Sequence, residues 1–189
     1  MTSSTRRAQE LFSLADSQAG YFTAAQASVL GYGYPLHHHH LRQGNWQRVR
    51  HGLFRLTTYP ITPHEQLAEL SLWSRNRQGD PQAVMSHDTA LAFHGVSDLL
   101  PERLHLTVPP GFRKAPPEGV VLHRSKLSAE DLQTEHGFQV TTILRTLEDL
   151  LASGNVTDVL EQALTQAAQT GAISSVKART LRKVVDQRR

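Results

Sequence analysis

Cysteine is absent from this chain of 189 residues, so disulfides and thiolate zinc sites are excluded. Long apolar runs are absent too, because no segment approaches the roughly 18 consecutive apolar residues of a membrane-spanning helix. The pair Arg6 and Arg7 is not followed by the apolar stretch of a signal peptide. Hydrophobic residues make up 39% of the chain, which predicts a modest or divided core. These absences favour a cytoplasmic protein with one large domain or two small ones.

Acidic residues are missing from a long segment near the N-terminus, since none lies between Asp16 and Glu65. Residues 1–60 contain six arginines and two acids, a net charge of +4, in a chain whose total charge is +3. Residues 61–145 contain eight basic and ten acidic residues, a net charge of −2. Positive charge gathered at one end is typical of a segment that binds a polyanion, most often nucleic acid. A basic surface that is merely solvated is the alternative.

Residues 1–60 carry the sequence signals of three short helices. Apolar residues recur at helical spacing over 5–17. Thr23 and Gln26 have the spacing of a capping box, which predicts the start of a second helix. Pro35 suits the first position of a helix and predicts a third helix over about 35–43.

A β-hairpin is expected after the third helix, because residues 45–58 alternate in character around a turn at His51 and Gly52. Three helices followed by a hairpin is the order of a winged helix-turn-helix domain, which we place over residues 1–59. In that arrangement the third helix enters the major groove of DNA and the hairpin contacts the backbone.

Four consecutive histidines, His37 to His40, occupy the third helix. With Leu41 directed inward and 100° between successive residues, His37 and His38 are predicted to lie on or beside the packed face. Only His37 and His40 have the spacing at which two side chains of one helix face bind a metal, and no third ligand is evident nearby. We therefore expect neither a physiological metal site nor a cofactor.

The opposite side of the third helix is predicted to be an exposed polar ridge of His39, Arg42 and Gln43, with His40 on its flank. Arginine pairs with guanine and glutamine pairs with adenine in the major groove. We therefore predict that His39, Arg42 and Gln43 read bases, with His40 beside them.

Contacts to the DNA backbone are expected from the hairpin, where Arg48, Arg50 and Arg55 are predicted to bind phosphates. Trp46 is expected to pack under the third helix. Thr23 and Gln26 are predicted to position the second helix so that its N-terminal amides face a phosphate.

Residues 60–189 are predicted to form a second domain of mixed α/β character with a helical C-terminus, which makes the chain α+β. A helix is expected after Thr62 as N-cap. Strands are predicted in AVMS, LHLTVP, GVVLHR and GFQVTT, and a capped helical turn in LSAEDL. Helices are predicted in SHDTALAFHGVSD, ILRTLEDLLASG, VTDVLEQALTQAAQTG and SSVKARTLRKVVDQRR.

Polar residues of this second region resemble the components of an active site, but their pattern matches no catalytic motif. The region has no nucleophile elbow, phosphate-binding glycine loop, HExxH motif or pair of catalytic carboxylates. Arg145 and Asp149 have the spacing of an ion pair on a helix surface. We expect no enzymatic activity, and keep as an alternative a nuclease-like enzyme that uses His87, Asp88 and Arg145. The other candidate bases or ligands are His94, His105 and His123.

Four segments resemble the AbiEi-type antitoxins of bacterial abortive-infection toxin–antitoxin operons. They are GYFTAAQASVLG, LRQGNWQRVRHGLFRL, MSHDTALAFHGVSDLLPERLHLTVP and GFQVTTILRTLEDLL, which together run from about residue 20 to residue 151. The last two are the more specific, because winged-helix signatures recur in many regulators. The third helix departs from the family, which usually mixes polar and apolar residues where this chain has histidines.

This resemblance implies a phage-defence antitoxin that represses its own operon. The N-terminal winged helix would bind operator repeats in double-stranded DNA, and the C-terminal domain would support repression or counteract a nucleotidyltransferase-like toxin. A toxin-binding module whose winged helix contacts protein rather than DNA is the further alternative.

Overall fold

The computed structural model describes residues 3–98, 100–154 and 158–188, which form an α+β protein. These described residues contain eight α-helices and two β-sheets, so the predicted α+β class is confirmed. The chain divides into two units. The first is Met1–Pro81 with Glu135–Phe138, and the second is Gln82–Thr134 with Gln139–Arg189.

The first unit contains four helices and a small sheet. Its elements are α1 (Ser3–Asp16), β1 (Tyr21–Thr23), α2 (Ala24–Val29), α3 (Tyr34–Arg42), β2 (Trp46–Arg50), β3 (Leu53–Leu56) and α4 (Glu65–Trp73). The strands are antiparallel in the order β1-β3-β2, with a register irregularity between Arg48 and Arg50. This unit extends past residue 59 to include α4.

Strand β1 was not predicted, because three residues are too few to show alternation. All three are buried, and Phe22 lies opposite Phe54 of β3. The strand forms because Tyr21–Thr23 completes the sheet beside β3, which is a tertiary pairing. A core of apolar side chains from α1, α2, β1, β2, β3 and the α2–α3 connection lies around it: Leu11, Ala15, Phe22, Ala27, Tyr32, Trp46, Phe54 and Leu56.

The capping box at the start of α2 is confirmed. The Gln26 amide N–H donates to the Thr23 hydroxyl at 3.1 Å, and the Thr23 amide donates to the Gln26 side-chain carbonyl at 2.8 Å. The predicted start of the next long helix at Thr62 is wrong, since α4 begins at Glu65 with His64 as N-cap. A carboxylate of Glu65 accepts a hydrogen bond from Arg55 instead of folding back as a capping box would require.

The second unit carries the larger sheet and four helices. Its elements are β4 (Val84–Met85), α5 (His87–His94), β5 (Leu104–Val108), β6 (Val120–Arg124), a 3₁₀ turn (Ala129–Asp131), β7 (Leu132–Glu135), β8 (Phe138–Thr141), α6 (Ile143–Ala152), α7 (Asp158–Gln169) and α8 (Ser175–Gln187). The strand order is β6-β5-β4-β8-β7. Strands β5 and β6 are parallel, as are β4 and β8, whereas β4 and β5 are antiparallel.

The four strands and the capped turn predicted in this unit are confirmed, and β7 was missed. Strand β7 contains Gln133 and Thr134, both exposed, so it lacks the apolar pattern that identifies a strand. Thr142 caps α6 by accepting from the Arg145 amide, as its position before the helix suggests. Two predicted helical segments extend beyond the described residues. One was predicted to start at residues 156–157 and the other to end at residue 189, and these positions lie outside the described ranges.

One core cluster of the second unit lies among its helices. Buried leucines of α5, α6, α7 and α8 pack together there, with Val96 and Ile173. None of the helices in the described part of the chain combines the length and the apolar character needed to cross a bilayer.

Candidate nucleic-acid interface

Helix α3 is held in place by Trp46, the first residue of β2. Trp46 is 3% exposed and contacts the ring of Phe22 edge-on at a centroid distance of 4.8 Å. The imidazole of His40 lies flat on the indole, with centroids 4.8 Å apart and planes 13° apart. The expected packing of Trp46 under the third helix is confirmed, and it fixes the rotation of α3 about its axis.

The packed face of α3 is centred on His37. This imidazole is 6% exposed and lies 5.5 Å from the ring of Trp46 and 5.6 Å from that of Phe54. Its Nε2 atom is buried without a hydrogen-bond partner among the described residues. The prediction for His38 is wrong, since it is exposed and contacts Tyr34. Because the face is centred on His37 rather than Leu41, a side chain 100° further round points to solvent.

The predicted polar ridge is exposed. His39, Arg42 and Gln43 all lie on the solvent side of α3, and Gln43 is the C-cap of the helix. Within the described part of the chain, no acidic side chain forms an ion pair with Arg42. An arginine and a glutamine on consecutive exposed positions offer hydrogen-bond donors and an acceptor side by side.

His40 differs from His38 and His39 because it is half-buried. Burial is the main reason why its pKa is lowered, and His39 and His37 add to the effect. Its Nδ1 lies 3.2 Å from the Asn45 amide nitrogen. An amide nitrogen can only donate, so Nδ1 accepts and the proton of the neutral ring is on Nε2. His40 is therefore a neutral ring with one N–H, held by Trp46 and Asn45.

The three hairpin arginines have different environments. Arg48 is exposed, and its guanidinium lies 5.9 Å from the centre of the Phe54 ring. Arg50 is half-buried, and its Nε lies 2.5 Å from a carboxylate oxygen of Glu69 on α4. Among these three, Arg48 alone is solvent-exposed and forms no ion pair with the described residues.

Arg55 requires a correction, because it is 8% exposed and is not positioned to bind a phosphate. Its Nη2 donates to Glu65 at 3.0 Å and to the carbonyl oxygens of Tyr59 and Pro60 at 3.1 and 3.0 Å. The alternation of the hairpin could not reveal this, since the carboxylate comes from a helix ten residues later. Arg55 ties β3 to the start of α4.

Thr23 and Gln26 have structural roles. Thr23 is 3% exposed, and its hydroxyl is used in the cap of α2. The Gln26 side chain also bonds to the Gln18 amide group, at 2.8 Å. Both residues fix the start of α2, as predicted, but Thr23 offers no surface to a ligand.

Sequence reasoning missed the glutamates that neutralise the hairpin. Glu65 and Glu69 are four residues apart on α4 and reach Arg55 and Arg50 respectively. A signal was available, because these are the first two acids after the acid-free segment and share one helix face. It also missed the exposed apolar side chains of Val29, 86% exposed, and Tyr34, 71% exposed, at the end of α2 and the start of α3.

The residues of the nuclease-like alternative lie in the second unit. His87 is 7% exposed, and Arg145 is engaged by Asp131 at 3.1 Å and by Asp149 at 2.8 Å. The predicted ion pair between Arg145 and Asp149 is therefore present. Over the ranges that the structure describes, no group of three or more histidine or acidic side chains has a geometry that could hold a metal ion.

Comparison with known proteins identified no relative of this chain. No protein-family model and no curated protein matches the chain. The candidate interface is therefore defined by the contacts of α3, β2 and β3 and by their exposed side chains.

Proposed function

We propose that the first unit is a winged helix-turn-helix domain that binds double-stranded operator DNA through α3. The observation that carries this proposal is the two-sided character of α3. One side is fixed by His37 and His40 on Trp46, and the other presents His39, Arg42 and Gln43 to solvent. A rigid helix with an exposed polar ridge is what major-groove recognition requires.

The order of elements supports the same proposal. Helices α1, α2 and α3 are followed by the β2–β3 hairpin, and β1 adds a third strand to its sheet. In a winged helix-turn-helix domain such a hairpin lies against the DNA backbone beside the recognition helix. Arg48 is exposed on this hairpin and is the best candidate for a phosphate contact.

The chemistry of the ridge determines what it would read. Arg42 can donate two hydrogen bonds to guanine, and Gln43 can donate to and accept from adenine. The Nε2–H of His40, at the edge of the ridge, is a donor of fixed orientation. His39 is free to turn toward a base edge or a phosphate. The operator is expected to contain guanine and adenine in adjacent positions of each half-site.

At the level of the whole protein, we propose an antitoxin that represses its own toxin–antitoxin operon. Its second unit would counteract a nucleotidyltransferase-like toxin. This part of the proposal is supported by the resemblance of residues 85–109 and 137–151 to AbiEi-type antitoxins. An enzymatic role gains no specific support from the geometry of His87, Asp88 and Arg145.

Binding to the chain's own promoter tests the first part. Fluorescence anisotropy at about 150 mM salt should give a specific affinity at least about a thousandfold tighter than for shuffled DNA. Arg42→Ala and Gln43→Ala should each cost about 1–3 kcal/mol of specific binding. Arg113→Ala, which removes an exposed arginine of the second unit, is the matched control and should have no effect. Equal affinity for promoter and shuffled DNA would contradict specific repression.

Co-expression of the full chain with the product of a neighbouring toxin gene tests the second part. Rescue of growth should persist in Arg42→Ala, because that side chain belongs to the DNA-binding ridge. Rescue without any promoter binding by the wild-type chain would instead support a toxin-binding module. Loss of rescue in Arg42→Ala, with the variant still folded, would contradict the proposed division of roles.

A further inference from the structure

Three imidazoles from different elements meet in the second unit. His87 starts α5, His105 lies on β5 and His123 lies on the neighbouring parallel strand β6. The rings of His87 and His123 are stacked, with centroids 3.5 Å apart and planes 12° apart. His123 Nε2 lies 3.2 Å from His105 Nδ1, so one ring donates a hydrogen bond to the other. We call these three residues the histidine cluster.

The position of His87 is fixed on two sides. Its Nδ1 lies 3.0 Å from the Ser86 hydroxyl oxygen. That oxygen accepts a hydrogen bond from the Thr107 hydroxyl at 2.8 Å. Its backbone has a φ of 50°, in the left-handed region that residues other than glycine seldom adopt. Such a conformation persists only where the surroundings impose it. The side chain of His87 is held in this setting by the stack on His123 and the contact with the Ser86 hydroxyl.

The charged groups around the cluster are few. Asp88 of α5 places a carboxylate oxygen 3.8 Å from His105 Nε2. The positive charge of Arg103, just before β5, lowers the pKa of His105. The positive charge of Arg145 on α6 lowers the pKa of His87. Arg145 is itself engaged by Asp131 and Asp149. Among the described residues, Asp88 is thus the one carboxylate that forms an ion-pair contact with an imidazole of the cluster.

Burial keeps the three rings neutral near pH 7. It is the largest cause that lowers the pKa of His87, to about 3, and it also lowers the pKa of His105 and His123. The rings also disfavour each other's protonation, because two imidazolium ions at stacking distance repel strongly in a partly desolvated site. The packed arrangement therefore excludes protons that the separated rings would bind.

We propose that the histidine cluster is an acid-sensitive switch that holds α5 against β5 and β6 while its rings are neutral and releases them when the rings are protonated. The direction follows from linkage. A histidine whose pKa is lowered in the closed state favours that state above its ordinary pKa of about 6.5, and this preference is lost as the pH falls. Each such ring raises the equilibrium constant for opening as the pH falls below about 6.5, by at most about tenfold per pH unit.

Hydrogen exchange measured by mass spectrometry on the full chain tests this proposal. Between pH 6.5 and 5.5, after correction for chemical exchange, protection of peptides from α5, β5 and β6 should fall by at least about tenfold. His123→Phe retains a ring against His87 but removes one titrating group, so the fall between pH 6.5 and 5.5 should be smaller than in the wild type, by up to about fivefold. His51→Phe, the same change at an exposed position of the first unit, should behave as wild type.

Two results would overturn the proposal: wild-type protection that does not change over this range, or equal pH dependence in wild type and His123→Phe. If His123→Phe does not fold at pH 7.5, NMR titration of the wild-type imidazoles replaces it. The resonances of His87, His105 and His123 should then titrate only together with the loss of protection. Complete titration of any of the three above pH 6, with protection of α5 retained, would refute the switch.

Discussion

His37 occupies a position in the core of the first unit that an apolar side chain would ordinarily fill. It lies between the rings of Trp46 and Phe54, and its Nε2 is buried without a partner among the described residues. A buried polar atom without a hydrogen bond costs about 1–3 kcal/mol. The sequence interpretation placed His37 on the packed side of the helix, but an unsatisfied nitrogen becomes visible only when the neighbours are known.

Replacement of this imidazole by an apolar side chain should therefore stabilise the first unit. We expect His37→Leu to raise the free energy of unfolding by about 1 kcal/mol, because it removes the unsatisfied nitrogen. Urea denaturation followed by tryptophan fluorescence measures this, since Trp46 and Trp73 both lie in the first unit. His39→Leu, at an exposed position of the same helix, is the control and should change stability by less than about 0.5 kcal/mol. A destabilised His37→Leu would contradict this account.

Gly20 and Gly44 both have a positive φ but differ in the space around them. Gly20 has a φ of +90°, and a Cβ there would lie 2.6 Å from atoms of the Tyr59 side chain. Gly44 has a φ of +70°, and a Cβ there would meet nothing within 4 Å. We expect Gly44→Ala to cost about 1–2 kcal/mol through backbone strain, and Gly20→Ala to cost about 1–3 kcal/mol more through steric overlap. Equal unfolding midpoints in urea would show that Tyr59 moves aside.

At the scale of elements, α4 governs how much charge the hairpin presents. Glu69 neutralises Arg50 and Glu65 neutralises Arg55. The two pairs differ in exposure, since the Arg50 side chain is 38% exposed and that of Arg55 only 10%. Arg50 can therefore turn from Glu69 to a phosphate at the edge of the unit, whereas Arg55 cannot leave Glu65 without opening the structure.

Removal of the two glutamates should consequently have different effects. Glu69→Gln should free Arg50 and raise DNA affinity, increasing the slope of log affinity against log salt by about 1. Glu65→Gln should leave that slope unchanged and instead destabilise the first unit, because it leaves a buried arginine without its counter-ion. Anisotropy titrations and urea denaturation of both variants measure these effects. A similar gain in affinity for both would contradict the assignment.

The region around α3 shows which structural features local sequence patterns can predict. The third helix, the hairpin and the capping box of α2 were predicted because proline, glycine and capping residues act through local geometry. Strand β1 and the exposure of His38 were not, because both depend on which surface the rest of the unit covers. The start of α4 was misplaced for the same reason, since Glu65 bonds to Arg55 rather than to its own cap.

At the scale of the whole molecule, the net charge of residues 1–60 overstates the charge available to a ligand. Of the six arginines there, Arg6 and the two hairpin arginines Arg50 and Arg55 form ion pairs. Arg7 donates to the Gly31 carbonyl and lies over Tyr32, which fastens α1 to the end of α2. Among the described residues up to 60, the exposed arginines that form no ion pair are Arg42 and Arg48.

The salt dependence of DNA binding should reflect this small number. Each phosphate neutralised in duplex DNA contributes about 0.9 to the slope of log affinity against log salt. With Arg42 and Arg48 as the available arginines, we expect a slope of about 1 to 2 per bound chain between about 50 and 200 mM salt. A slope of about 5, as six neutralised phosphates would give, would show that the ion pairs with Glu10, Glu65 and Glu69 open on binding.

The α+β class, most of the elements and the exposed ridge of α3 followed from the sequence alone, because spacing and capping are properties of neighbouring residues. Tertiary structure decided which polar groups are available. It buried Arg55 on Glu65, paired Arg50 with Glu69, and brought together His87, His105 and His123, which lie in a stretch of 37 residues. The physical reason is that burial and charge pairing depend on groups distant in sequence, which no local pattern records.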